Sequence, residues 1–391
     1  MTAAQPRIVI APDSLKGSCT APAAAAALAS GARAALGNRG SVREIPLADG
    51  GEGTLDALTA AWGGAIIEVR TADARGRART GRIGLSADGR TAIIEAAEAN
   101  GLPLVSDLPL RALDADSGGV GHLVRAAVTA GASELLLCLG GSATSDGGAG
   151  MLRELGARLL RADGRPVSPG ARGLSEIAQV DLSAVPAAIA AARWRIAADV
   201  DNPLVGPRGA AAVFGPQKGA SSAEIIEIDT GLRRLAEVLG AVAHTDRPGL
   251  GAAGGLALVP AALWGAELVP GAELVATAAG LDAALAGADL VITAEGRLDQ
   301  QSLDGKVVSR VVAGAAAAER EGPAGTERRA PLVVVIAGSV ALSHAECRAA
   351  GITAAFSIAP GPAALDELQA DAPRLLAEAA AQACALAFPA H

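Results

Sequence analysis

Short β-branched runs alternate with long alanine- and leucine-rich stretches along this 391-residue chain, and that rhythm admits few folds. The runs "RIVIA" (7–11), "VREIPLA" (42–48), "ELLLCLG" (134–140), "WRIAADV" (194–200), "DLVITAE" (289–295), "PLVVVIAG" (331–338) and "ITAAFSIA" (352–359) read as strands. Between them, helices are predicted over 20–36, 53–62, 120–130, 147–160, 222–242, 255–265, 305–319 and 373–387. Strands that read as unbroken apolar runs, each followed by a helix, predict an α/β protein whose sheet is mostly parallel and covered on both faces. One stretch breaks the pattern. "GRARTGRIGLSADGRTAIIEAAE" alternates in polarity and turns at Asp88-Gly89, so it reads as antiparallel β and marks an insertion of another style beginning near residue 80.

The length exceeds what one ordinary core organises, so two domains are the default expectation, with room for three. The polar, Gly/Pro-marked "EGPAGTERRAP" (321–331) reads as an exposed loop. A hydrophobic fraction of 51% leaves ample material for cores, while a net charge of −8 argues against a nucleic-acid partner, whose phosphates need a basic surface. With no tyrosine, three tryptophans and three phenylalanines, base stacking has little support; a bound purine would rest on aliphatic side chains and backbone. Cys19, Cys138, Cys347 and Cys384 show no CxxC spacing, which fits a reduced, cytoplasmic setting. "MTAAQPRIVIAPDS" lacks a basic leader with an apolar core, so no secretory signal is expected. Alanine-rich runs such as "TAPAAAAALASGARAAL" are interrupted by Ser30 and Arg33 and read as soluble helices, not membrane spans.

Nearly every Asp/Gly-rich cluster follows the end of a predicted strand: "APDSLKGS", "ADGGEGT", "GGSATSDGGAG", "ADVDNPLVG" and "AEGRLDQQSLDGK". Open parallel sheets bind ligands outside those strand ends, where helix N-termini favour anions. Two of the clusters repeat one device, an aspartate, two glycines, a spacer and a third glycine before an apolar run. Bare backbone suits an anion, but the aspartate would repel it unless the carboxylate holds a cation, accepts a substrate hydroxyl or takes a proton. Asp49 and Asp146 are the first candidates, with Glu52 behind them. Taken singly, either aspartate reads equally well as a helix cap; their repetition beside "GGSATS" points to a site.

Lysine usage sharpens this. Of 33 basic residues only Lys16, Lys218 and Lys306 are lysine, and each adjoins a glycine, in "SLKGS", "PQKGA" and "DGKVV". A compact, mobile ammonium suits a phosphoryl group in transit better than a planar guanidinium does. For Lys218 alone, a surface turn is as good a reading; three of three in glycine turns favours function. Glu295, Arg297, Asp299, Gln300, Ser302 and Lys306 crowd one strand end, and Asp199, Asp201 and Asn202 crowd another, although Asn202-Pro203 is also a plain turn signal. There is no GxxxxGK[ST] motif, "GLGAAG" (249–254) follows no strand, and the four histidines form no zinc set. Neither a GxSxG elbow nor a Cys/His pair recommends itself.

In this order the motifs "IVIAPDSLKGS", "PLADGGEGTLDAL", "IEAAEANGLPLV", "GGSATSDGGAGMLRELGARLLRADG", "DVDNPLVGPRGAAAVFGPQKGA", "GAAGGLALV" and "DLVITAEGRLDQQSLDGK" resemble the bacterial glycerate kinases of the glucarate/glyoxylate pathway type. The resemblance spans residues 7 to about 360. It implies ATP-dependent phosphorylation of D-glycerate, usually to 2-phosphoglycerate, with Mg²⁺ assisting. It also implies a doubly wound domain built from both chain ends, 1–80 with 288–391, an inserted α/β domain, 81–287, and an active-site cleft between them. Asp13, Ser14, Lys16, Asp49, Glu52, Ser142, Asp146, Asp199, Asn202, Lys218, Glu295, Asp299 and Lys306 occupy its motif positions. Gly118 stands where the family often carries an aromatic, which reads as a wider pocket.

The expected mechanism is in-line transfer, which needs positioning and charge more than covalent chemistry. Asp199 is the expected proton acceptor and Asp49 its rival, with Lys16 and Lys306 on the transferring phosphoryl group. Asp13, Ser14, Glu52, Asn202, Arg297 and Asp299 would bind glycerate, Arg297 through the carboxylate. Gly140, Gly141, Ser142, Asp146, Gly147, Gly148 and Lys218 would contact ATP, and Asp146 and Glu295 would serve the metal. The expected partners are thus D-glycerate and ATP, in a monomer or homodimer. Two other classes stand beside this: a phosphohydrolase or mutase using an aspartate nucleophile, and a non-catalytic sensor of an anionic metabolite.

Overall fold

The computed structural model describes residues 5–318 and 330–389, so most of the 321–331 segment and the last residue of the helix expected over 305–319 lie outside the described residues. The chain forms two compact units, Met1–Asp49 with Ala272–His391, and Gly50–Gly271. In chain order the strands begin with β1 (Arg7–Ile10), β2 (Ser41–Glu44), β3 (Ala65–Ala72), β4 (Ala78–Leu85), β5 (Thr91–Glu95) and β6 (Glu134–Cys138). They continue with β7 (Arg158–Leu160), β8 (Gln179–Asp181), β9 (Arg193–Ala197), β10 (Glu267–Val269), β11 (Leu290–Leu298), β12 (Leu332–Val340) and β13 (Ala354–Ser357).

In the first unit the order is β13-β12-β11-β1-β2, with every pairing parallel. β1 and the first halves of β11 and β12 are mainly apolar because both faces are covered there, whereas the edge strands β2 and β13 are largely exposed. Ile8, Ile10, Val334 and Ile336 pack under the helices Ala21–Leu36 and Ala372–Ala387. Val335 and Ala337 face Val308 and Cys347 on the opposite side. The chain leaves β1 towards β2 on one side, whereas β11 pairs on the other, so the strand order reverses between β1 and β11. That reversal opens a crevice at the carboxyl ends of the two strands. The helix Ala21–Leu36 starts on Thr20, whose hydroxyl accepts from Ala23 N at 3.4 Å, and stops at Gly37 with φ 56°. It lies tight against the C-terminal helix, for a Cβ at Gly31 would sit 1.8 Å from the Ala377 carbonyl oxygen. Gly31→Ala is therefore expected to cost about 1–3 kcal/mol through overpacking, read as a lower denaturation midpoint at unchanged slope.

The second unit carries a six-stranded sheet, β10-β9-β6-β5-β4-β3. β5, β6, β9 and β10 are parallel, and β4 and β3 are antiparallel additions. The β4–β5 hairpin turns at Asp88-Gly89, where Gly89 adopts φ 68°. β3 pairs with β4 along its whole length, so this sheet starts before residue 80, and the helix Gly271–Ala278 begins the return to the first unit, ahead of residue 288. The helix expected over 147–160 is shorter, Ala149–Glu154. Gly156 turns the chain at φ 108° and Arg158–Leu160 becomes β7, paired with β8. Trp194 on β9 stacks on Trp264 at 4.8 Å between ring centroids, closing the core beneath the sheet.

Candidate functional site

The carboxyl ends of β1, β2 and β11 bring three acidic residues together in the first unit. Asp13 follows β1 and its N–H donates to the Ala294 carbonyl at 2.9 Å, which ties the loop to β11 one residue before Glu295. Leu47 N donates to the Pro12 carbonyl at 2.9 Å, drawing in the segment that ends at Asp49. Burial pushes the Asp13 carboxyl up to about 7, the charges of Asp49 and Glu295 add to the rise, and the Ser14 N–H and Lys16 oppose it. Glu295 is likewise raised to about 7, first by burial and then by Asp299 and Asp49, against the Ser302 hydroxyl and Lys306. Its Oε1 is buried and meets no hydrogen-bond partner among the described residues. Ser14 donates its N–H to Asp13 Oδ1 at 2.6 Å, and Lys16 is exposed.

Part of the polar density at 295–306 is turn chemistry. Asp299 caps the turn Gln300–Leu303 by accepting from Gln301 N at 2.9 Å, and Ser302 Oγ accepts from Asp299 N at 3.0 Å. Arg297 pairs with Asp299 at 3.3 Å and is otherwise exposed. Lys306 is half-buried directly ahead of the helix Val307–Ala317. Among the described residues, no group of three or more His, Cys, Asp or Glu side chains is arranged to hold a metal ion by itself.

In the second unit the loop after β6 meets the glycine turn at 50–53. A Cβ at Gly140 would lie 2.7 Å from the Cα of Gly51, so the two turns touch backbone to backbone and only glycine fits. Gly50, at φ 86°, packs the same way on Gly271 and on Ala197 at the end of β9. The loops after β6, β9 and β10 thereby converge with the 50–53 turn at one edge of the sheet. Asp199 is half-buried there and its Oδ1 accepts from Gly271 N at 2.6 Å. Glu52 is exposed on the turn.

Glu95, the last residue of β5, holds this turn and was not singled out from the sequence. It is 4% exposed and its carboxylate accepts from Gly53 N at 3.2 and 3.1 Å and from Leu55 N at 3.1 Å. These donors open the helix Thr54–Ala61, where a negative charge is favoured. Burial nevertheless pushes the Glu95 carboxyl up to about 8, outweighing the Leu55 and Gly53 N–H groups. Its motif, "IEAAEANGLPLV", offers no glycine turn to flag it, and its partners lie some 40 residues upstream. With the folded value above the unfolded one, the native state binds the extra proton, so wild-type stability falls as pH rises from about 4.5 towards 8. Glu95→Gln loses an acceptor at every pH but lacks that slope; unfolding curves at pH 5 and pH 8 should show the variant gaining on the wild type.

The "GGSATSDGG" loop proves to be mostly framework. Asp146, expected to serve a metal, is 1% exposed and points inward. It accepts from Ser117 N and Oγ at 2.9 Å each, Gly148 N at 3.2 Å and Gly150 N at 3.1 Å. Four donors use up its lone pairs, so the carboxylate fastens the helices Gly118–Thr129 and Ala149–Glu154 together. Lys218, expected at the cofactor, is 3% exposed. Its ammonium donates to Ser142 Oγ at 3.1 Å and to the Thr144 carbonyl at 2.5 Å, and burial pushes its pKa down to about 7. Asn100 braces the same loop, accepting from Ala143 N at 2.7 Å and donating Nδ2 to Thr144 Oγ1 at 2.9 Å. Gly147 N reaches the Gly254 carbonyl at 3.1 Å, which gives the "GLGAAG" turn a supporting role. Of the expected ATP contacts, Gly141 is exposed and Gly140 half-buried, whereas Ser142, Asp146, Gly147, Gly148 and Lys218 are buried. Asn202 donates Nδ2 to the Arg208 carbonyl at 2.8 Å, which braces the 202–208 loop. Gly118 widens no pocket: a Cβ there would meet Asp116 Oδ1 at 2.9 Å and Arg153 Nη2 at 3.2 Å, against a half-buried ion pair.

The chain is similar to known proteins along nearly its whole length. The model of the glycerate kinase family matches residues 8–387. A glycerate kinase of Halalkalibacterium halodurans is 41% identical over 95% of this chain and 96% of its own length. A glycerate 2-kinase of Escherichia coli K12 is 40% identical over 92% of both chains. A crystal structure from Salmonella typhimurium LT2, provisionally described as glycerate kinase 2, superposes with a TM-score of 0.79 at 39% identity over 98% of both chains. The chain belongs to the glycerate kinase family.

Proposed function

We propose that this chain phosphorylates D-glycerate from ATP, giving 2-phosphoglycerate and ADP. The observation that carries the reading is the cluster of Asp13, Asp49 and Glu295 beside Lys16 and Lys306 where the strand order of the first unit reverses. Phosphoryl transfer needs cations on the moving group and oxygen donors for the metal that accompanies the nucleotide, and this cluster offers both. The name of the Escherichia coli relative supports position 2 as the acceptor. Neither a hydrolase with an aspartate nucleophile nor a metabolite sensor draws support from the relatives.

Asp13 and Glu295 fit a divalent cation: both are hard oxygen donors, the Glu295 charge helps to raise the Asp13 carboxyl, and Glu295 Oε1 is buried without a partner among the described residues. Mg²⁺ asks a protein for only one or two carboxylates, and when bound it would offset the charge of the phosphate oxygens. Asp199, fixed by Gly271 N, takes the proton of the attacking hydroxyl, and Lys16 and Lys306 draw charge from the phosphoryl group. Arg297 exchanges Asp299 for the glycerate carboxylate. Gly140 and Gly141 contribute backbone N–H groups to the ATP phosphates, held in place by Lys218 and Asn100. Four free, buried cysteines favour a reducing, cytoplasmic setting; no described helix is long and apolar enough to cross a membrane.

A coupled ADP-release assay with D-glycerate, its enantiomer and related hydroxy acids, followed by NMR of the product, tests this. ADP release with D-glycerate and phosphorus on the 2-hydroxyl is expected. Release with none of the acids would overturn the activity, and phosphorus on the 3-hydroxyl would overturn the regiochemistry.

A further inference from the structure

β3 is the outer strand of the second unit's sheet, and it is poorly protected. The other terminal strands, β2, β10 and β13, have three or four residues, whereas β3 has eight. A long edge with open N–H and carbonyl groups is a template for another strand unless charge, proline or a bulge blocks it. Here Ile66 is 44% and Ile67 37% exposed, on opposite faces, and no proline interrupts "AIIEVRTA".

The register of β3 shows which groups are open. Asp73 N donates to the Arg77 carbonyl at 2.9 Å, continuing the pairing of Thr71 with Arg79 and Val69 with Gly81. Because hydrogen-bonded and non-bonded pairs alternate, odd-numbered residues turn their backbone groups to β4. Ile66, Glu68, Arg70 and Ala72 therefore present theirs to the open side.

We propose that β3 pairs antiparallel with β3 of a second copy of this chain, joining two six-stranded sheets across a two-fold axis at Val69. A two-fold axis through the middle of the strand allows only registers in which even residues face even residues. Shifted one way, Glu68 meets Glu68; shifted the other, Arg70 meets Arg70. The register centred on Val69 instead sets Glu68 opposite Arg70 twice, so the two charges that would guard the edge against strangers are complementary to themselves. That register also places Ile67 of the second copy opposite Thr71, on the face where Thr71 Oγ1 bonds the Gly119 carbonyl. Along that face runs an open depression of about 450 Å³ lined by Val69, Thr71, His122 and Ala126, with Arg70 and Arg125 at its sides. The incoming isoleucine packs into part of it and loses its own exposure. One interface thus engages the open backbone, Ile67 of each copy and both charges.

Sedimentation velocity on the full chain tests the pairing. The wild type should sediment as a dimer at micromolar concentration. Glu68→Arg and Arg70→Glu, each setting like charges face to face, should each weaken association at least tenfold, and the double exchange should restore it, with circular dichroism confirming that all four proteins fold. Val69→Cys should cross-link to a dimer on mild oxidation, because non-bonded antiparallel partners stand about 4.5 Å apart at Cα; the native cysteines are buried and should stay silent. A wild type that remains monomeric overturns the proposal. So does a dimer indifferent to both single charge reversals, or one that the double exchange leaves broken while Val69→Cys stays uncross-linked.

Discussion

With Asp199 as the proposed general base, Asp199→Asn is expected to lower kcat for glycerate phosphorylation by about 10²–10⁴-fold, the usual cost of losing such a group, while KM for glycerate changes only a few-fold. The substitution separates chemistry from architecture. Asp199 Oδ1 accepts from Gly271 N at 2.6 Å, and an asparagine keeps a carbonyl oxygen for that bond, so the loop after β9 stays in place. What asparagine cannot do is take a proton. Steady-state kinetics together with a denaturation midpoint within about 1 kcal/mol of wild type would complete the case. Near-full turnover would hand the role to Asp49.

Lys218→Met has the second large effect, expressed in both stability and activity. The wild-type amine is buried and its pKa is pushed down to about 7, against about 10.5 in the unfolded chain. The unfolded state therefore binds more protons between those values, and native stability rises as pH climbs from 7 towards 10.5, by at most about 1.4 kcal/mol per unit. Below pH 7 the penalty of burying the charge is complete and constant. Methionine fills a similar volume without titrating, so the difference between wild type and variant should move in favour of the wild type above pH 7. The same change strands the Thr144 carbonyl and the Ser142 hydroxyl, which an unpaired burial penalises by about 1–3 kcal/mol each. With its anchor gone the 140–144 loop drifts, and misplacement on the order of 1 Å can cost about 10²-fold in kcat/KM. Urea titrations at pH 7 and pH 9.5, with kinetics at pH 7.5, check both. A variant with the wild-type pH slope would mean that Lys218 does not carry the titration.

Much of this molecule was legible in its residues. The apolar runs at 7–11 and 134–140 contain β1 and β6, and the run at 289–295 covers the first part of β11, because a strand buried on both faces has no polar alternation to obscure it. Asp13, Asp49 and Glu295 were flagged by their places after strands, and parallel pairing was enough to gather them. β3 escaped notice because "AIIEVRTA" is a half-exposed edge strand whose composition resembles its surroundings. The helix over 147–160 was drawn too long because Leu-rich "RLL" suits helix and strand alike, and only the pairing of β7 with β8 decided between them.

What composition, periodicity and turn residues determined by themselves was the α/β class, the position of acidic turns at strand ends and, through ordered motifs, the family. Those follow from local rules, in which a few neighbours along the chain settle the conformation. Which way a charged side chain faces was decided only in three dimensions. Asp146 and Lys218 sit in glycine turns indistinguishable from those of Asp49 and Lys16, yet the first pair is sealed in the core and fully engaged with backbone partners. Glu95 is invisible as a turn holder until β5 and the 53–55 amides meet. The reason is that burial depends on what packs over a group from remote parts of the chain, and a residue's immediate sequence carries no record of it.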